Sequence, residues 1–161
     1  GLADWLSARC AAAQLTPFNL VVELTETQPV LDVPALGAAV VALRQHGYRV
    51  SMDDVGPGQR DPTALLRLPF TSVKLDMALV RHAADSADAR AYLRRLIDAA
   101  HTAGMIVVAE GIEDGDTWGR MQALGVDAGQ GYGIARPLPA VAIPLWHRAW
   151  TAGRRAMTPA G

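Results

Sequence analysis

Disulfide chemistry is excluded first. Among 161 residues there is one cysteine, Cys10, which has no partner within the chain and suits a reducing compartment. An excess of one charge is lacking too. Fifteen Lys and Arg against sixteen Asp and Glu leave a net charge of −1, so no global basic field is available to hold DNA or an anionic membrane. An anionic ligand has to be held by local groups or by metal. No apolar run reaches the ~18 residues of a membrane span, and no basic-plus-apolar leader opens the chain. The chain starts at Gly1 and not at methionine, so its natural N-terminus is expected upstream. Histidine is scarce: His46, His82, His101 and His147 share no ligand spacing, read as helix-terminal or surface residues, and form no zinc pattern with cysteine. Neither a Walker A nor a Rossmann glycine fingerprint occurs, and Gly129-Gln130-Gly131 matches neither.

What is present is a half-apolar chain with 19% charged residues, enough for one globular core. Short apolar runs alternate with helical patterns. Leu20–Leu24, Tyr48–Met52, Thr71–Leu75, Met105–Ala109 and a weaker, Gly-rich Asp127–Gly133 read as strands. Between them, 33–45, a short stretch from Asp61-Pro62 to Leu68, 87–103 and 117–124 read as helices, with Gly47, Gly104 and Gly125 as stops. A last helix from about Ala140 to Ala152 carries Trp146 and Trp150 at i, i+4, a core or interface pair. This alternation implies an α/β fold with a parallel sheet of about five strands, in one unit without a linker. Periodicity leaves open whether the sheet is doubly wound or an arc of a (β/α) barrel.

The polar residues favour the barrel. Nearly every strand ends in a ligand-capable group: Glu23, then Asp53 and Asp54, then Lys74 and Asp76, then Glu110, then Gln130. Barrel enzymes carry their reactive groups at the C-terminal ends of several parallel strands, on one rim. Several carboxylates on one rim repel one another unless cations neutralise them, and hard oxygen donors suit Mg²⁺ or Mn²⁺. Carboxylates, a lysine and a pair of divalent ions suit phosphoester hydrolysis.

In order and spacing, Glu23-Leu24-Thr25-Glu26, Asp53-Asp54-Val55-Gly56, Lys74-Leu75-Asp76, Ala109-Glu110-Gly111-Ile112-Glu113, Gln130-Gly131-Tyr132 and Arg136-Pro137-Leu138-Pro139 resemble successive motifs of the EAL-domain family. The resemblance runs from about Leu15 to Pro139. It implies a TIM-barrel-like (β/α) EAL domain, of which residues 1–161 are the C-terminal part, a partial barrel. It also implies hydrolysis of cyclic di-GMP to the linear dinucleotide with two Mg²⁺ or Mn²⁺ ions, in a bacterial, cytoplasmic setting. By position, Glu23, Asp53, Asp54 and Asp76 would be metal-site carboxylates, with Asp53 and Asp54 between the ions. Lys74 would hold the water nucleophile or a phosphate oxygen, and Glu110 would be a ligand or general base at the second ion. Gln130 would orient the cluster, and Glu113 would brace the loop after Asp54.

Two departures set expectations for this chain. The family's name-giving glutamate–alanine–leucine strand and an asparagine ligand belong before Gly1, and a full barrel takes about 250 residues. In the loop after Asp54, Val55, Pro57 and Gln59-Arg60-Asp61 replace the family's usual residues, and proline removes a backbone donor. Little or no hydrolysis is therefore expected of this chain alone. The alternatives are a non-catalytic cyclic di-GMP receptor, which calorimetry without heat would exclude, and an interaction module whose open sheet edges are covered in a homodimer, which a monomer in light scattering would exclude. Upstream sensory or GGDEF-type domains are expected in the parent protein.

Overall fold

A computed structural model describes residues 1–25, 32–56 and 66–157, with side chains described through 153. The helical spacing of Val33, Leu36, Val40 and Leu43 becomes α2 (Val33–Gln45). It starts where Asp32 Oδ1 accepts from the Ala35 amide at 2.8 Å, satisfying one of the orphan donors of a first turn. The longest helix, α4 (Ala87–Thr102), is capped by Ser86, and Leu93, Leu96, Ile97 and Ala100 form its buried stripe. Each strand is short because its apolar run is short: β1 (Val21–Thr25), β2 (Arg49–Val55), β3 (Ser72–Leu75), β4 (Ile106–Ala109) and β5 (Ala128–Gly129). Helix α5 (Gly115–Leu124) joins the last two, and α6 (Ile143–Met157) follows a 3₁₀ turn at Ala140–Ala142. Trp146 and Trp150 stack on α6, with centroids 5.7 Å apart.

The strand order settles what periodicity left open. The sheet runs β1-β2-β3-β4-β5, and every neighbouring pair is parallel. Right-handed crossovers that always advance one place in the same direction put all helices on one face. A doubly wound sheet instead reverses direction and is covered on both faces. The sheet is thus an arc of a barrel, five strands wide. Register and pleat divide its residues accordingly. Val22, Leu24, Val50, Met52, Val73, Leu75, Val107 and Ala109 face the helices and join the core or pack against it. The opposite face carries Glu23, Ser51, Ser72 and Lys74 together with Val21 and Ile106, and those two apolar residues are exposed.

Two helices depart from the sequence expectation. Helix α1 (Leu2–Ala12) buries only Ala3 and Cys10, too sparse a stripe to announce itself. It is fixed to β2's approach by fully buried Tyr48, whose hydroxyl lies 3.1 Å from Ser7 Oγ and 3.6 Å from Cys10 Sγ. Helix α3 (Met77–Asp85) follows β3 without a loop, because Asp76 is its N-cap: Oδ1 accepts from the Ala78 amide at 2.8 Å. The expected helix near 61–68 falls mostly outside the described residues. Of the histidines, His46, His82 and His101 sit at or in the last turns of α2, α3 and α4. Among the described residues no helix is long and apolar enough to cross a membrane.

Candidate metal centre at the strand ends

In a regular strand, adjacent residues point to opposite faces, so Asp53 and Asp54 could not share a site. A β-bulge lets them. Met52 pairs with Val73 and Val55 with Leu75, so the two aspartates together stand opposite Lys74 alone. Asp54 takes a left-handed conformation, φ 58°, which a short polar side chain tolerates better than most. Bulges of this kind re-aim side chains beside active sites. As a result, carboxylate oxygens of Asp53, Asp54 and Glu110 all lie within 4.8 Å of one another.

Lys74 rises into the middle of this group from β3. Its Nζ lies 2.7 Å from Glu110 Oε1, 2.9 Å from Asp53 Oδ1 and 3.3 Å from Glu23 Oε2, with the lysine side chain only 10% exposed. Burial works against its charge, but the pull of Glu110 and Asp53 outweighs it and raises the lysine pKa above its ordinary value. Lys74 is therefore a fixed cation and not a base at neutral pH. Asp53 is also held from β1, where Thr25 Oγ1 donates to its Oδ2 at 3.3 Å. Its other oxygen, Oδ1, is buried and lies 2.9 Å from Lys74 Nζ, without a hydrogen bond of good angle. A buried carboxylate oxygen of this kind, in a group of three carboxylates, fits a hard divalent cation. The donor set is therefore consistent with a divalent metal.

Glu110 is placed by the end of β4, its amide donating to Leu75 O at 3.1 Å. The chain then turns at Gly111, φ 68°, where a Cβ would lie 2.2 Å from Met77 Cγ. The following residues are clamped to the turn after β5. The Ile112 amide donates to Gln130 O at 3.0 Å and the Gly133 amide to Ile112 O at 2.8 Å. A Cβ on Gly131 would stand 2.2 Å from Ile112 O and 2.4 Å from its amide nitrogen. Gly131→Ala must push this backbone apart, and is expected to cost about 2 kcal/mol, as overpacking typically does. Chemical denaturation would measure it; a stability equal to that of the parent chain would contradict the clamp.

Of the residues that the sequence singles out, Asp53, Asp54, Lys74 and Glu110 converge. Glu23 is 47% exposed and reaches the group only through Lys74. Asp76 spends one oxygen on capping α3 and stands outside the three-carboxylate group. Gln130 lines a cleft of about 460 Å³ beside Glu110, together with Asp76, Met77, Arg81, Gly111, Glu113, Gly131 and Tyr132. Glu113 pairs with Arg81 at 2.5 Å; the loop after Asp54 that it is expected to brace lies, beyond Gly56, outside the described residues, as does Glu26. Sequence reasoning missed Thr25 and Arg81. The first has a signal, since it closes the same strand end as Glu23; the second, on the unrecognised α3, has none.

The EAL domain family matches residues 1–137. The chain is 38% identical over 129 residues to the cyclic di-GMP phosphodiesterase PA2567 of Pseudomonas aeruginosa, covering 80% of this chain and 22% of that protein. It is 32% identical over 139 residues to the cyclic di-GMP phosphodiesterase RocR of the same organism, 86% of this chain and 35% of the relative. It thus spans well under half the length of these relatives. Among solved structures, the phosphodiesterase PaMucR in complex with c-di-GMP superposes with a TM-score of 0.79 at 29% identity, covering 89% of this chain and 58% of that one. A manganese and cyclic di-GMP complex of Klebsiella pneumoniae BlrP1 gives 0.76 at 30% identity, covering 83% and 34%. The convergent carboxylates, the barrel arc and these matches lead to one assignment: the chain belongs to the EAL domain family.

Proposed function

We propose that residues 1–161 are the C-terminal part of a single EAL domain whose complete form hydrolyses cyclic di-GMP to the linear dinucleotide in a bacterial cytoplasm, using two Mg²⁺ or Mn²⁺ ions. The observation that carries this reading is the convergence of Asp53, Asp54 and Glu110 around Lys74, four groups from three strand ends. Bound ions would supply a hydroxide nucleophile and neutralise charge developing on phosphorus. Asp53, Asp54 and Glu110 would hold them. Lys74, permanently charged, would hold a phosphate oxygen, and Gln130 would orient the cleft side of the cluster. Glu113, paired with Arg81, is also proposed to brace the loop after Asp54.

The described residues offer one group of three carboxylates, enough for one ion and not for an in-line displacement between two. This chain alone is accordingly proposed to bind nucleotide but to turn over little or none. The parent is proposed to carry sensory or GGDEF-type domains, in keeping with a relative named as a bifunctional diguanylate cyclase/cyclic di-GMP phosphodiesterase, and a homodimer would cover the open sheet edges. The test is chromatography of cyclic di-GMP after incubation with the chain and Mn²⁺. The expected result is no more than a trace of linear dinucleotide; rapid conversion would show that the chain, alone or as a dimer, completes the two-ion site.

A further inference from the structure

We infer that α6, with the 3₁₀ turn before it, is an interfacial helix that lays this chain on an anionic membrane surface. The inference is independent of the hydrolase reading above. It starts from where charge stands along the chain. All sixteen acidic residues lie within 1–127, whereas 128–161 holds Arg136, Arg148, Arg154 and Arg155 and no acidic residue. A chain with a net charge of −1 thus ends in a locally basic segment, and such asymmetry points to an anionic partner. The same segment leaves its aliphatic side chains in water. Val141 is 90% exposed and Leu145 74%, and Leu138 and Ile143 are exposed with them. Within 143–153 only Trp146 and Trp150 are half-buried. Stacked on each other at i, i+4, they mark the side of α6 turned to the body of the domain. Leu145, Arg148 and Ala152, at i, i+3 and i+7, share the outer side, and all three are exposed.

The combination of aliphatic groups and arginines selects the partner. An apolar protein surface does not fit, because arginine is almost never fully buried unless it is paired, and this segment brings no carboxylate to pair with. A second copy of the chain, meeting the first through the same face, would set arginine against arginine. Nucleic acid would engage the arginines and leave Val141, Ile143 and Leu145 in water. An anionic bilayer takes both kinds of group. Its headgroups attract the arginines, while the aliphatic side chains enter the boundary between headgroups and acyl chains. Helix α6 has 15 residues, and among the described residues no helix is long and apolar enough to cross a membrane. It lies on the surface and does not span it.

The test is co-sedimentation of the purified chain with vesicles of phosphatidylcholine, alone or with about 30% phosphatidylserine. The parent chain is expected to bind the anionic vesicles at least about tenfold more tightly than the neutral ones, and to leave them in about 0.5 M NaCl. These arms use the unaltered chain and so stand even where a variant fails to fold. Replacing Arg148, Arg154 and Arg155 together by glutamine is expected to weaken binding to the anionic vesicles at least about tenfold. Leu145→Gln is expected to weaken it about threefold or more. Circular dichroism of both variants is expected to match the parent's. No sedimentation with the anionic vesicles, or equal sedimentation with both kinds, overturns the inference. So does self-association of the parent chain that Leu145→Gln abolishes, which would give this face to a second copy.

Discussion

Asp53→Asn is expected to weaken Mn²⁺ binding at least about 100-fold, close to 2.7 kcal/mol, while leaving the fold intact. Even outer-shell partners of a metal site typically cost 10–100-fold when removed, and Asp53 supplies a buried oxygen that accepts no directed hydrogen bond. Asparagine keeps the volume and an acceptor for Thr25 Oγ1, now 3.3 Å from Asp53 Oδ2, and removes the charge the ion needs. Calorimetric titration with Mn²⁺ reads the effect. Glu23→Gln makes the comparison, because Glu23 stands outside the three-carboxylate group and is 47% exposed; its loss is expected to cost less than about tenfold. If the two variants bind Mn²⁺ equally, the assignment of ligands is wrong.

The second large effect belongs to Lys74. With Lys74→Met, the carboxylates of Asp53, Glu110 and Glu23 lose the cation that lies 2.7 to 3.3 Å from them. Breaking a buried pair costs about 3–5 kcal/mol; because Glu23 is half exposed and screened, about 2–3 kcal/mol is expected here. The lysine pKa is raised on folding, so the stability it contributes is fully present below the unfolded lysine value, near 10.4. That stability is lost only as pH rises through the higher folded value. The deficit of the variant should therefore be the same at pH 6 and pH 8. Mn²⁺ should restore part of it, since the ion replaces the missing positive charge. A deficit that Mn²⁺ leaves untouched would mean that Lys74 holds the fold by packing and not by charge.

Much of this site is legible in the amino-acid sequence, for a physical reason. A buried parallel strand must be apolar, so a carboxylate at its end stands out. Glu23, Asp53, Lys74 and Glu110 are each visible in that way, and parallel pairing brings their ends to one rim. What could not be read is the bulge. A regular pleat sends Asp53 and Asp54 to opposite faces, and no glycine at 54 marks the left-handed turn that gathers them; the aspartate itself adopts it. Asp76 shows a second role that its motif does not announce: beside the expected metal-site carboxylate, it is the N-cap that starts α3. The reading of 127–133 as a strand exceeds β5 by several residues, because 131–133 leaves the sheet to clamp Ile112. The barrel arc, finally, depends on strand order, and hydrophobic periodicity carries no information about order.

The central expectation is that the carboxylate cluster joins metal to nucleotide. Calorimetric titration of the chain with cyclic di-GMP, once in Mn²⁺ and once in EDTA, tests that directly. Binding in Mn²⁺ that disappears in EDTA is the predicted result. Equal binding in both would make this a metal-independent receptor, and no binding in either would contradict the assignment of the strand-end cluster as a nucleotide site.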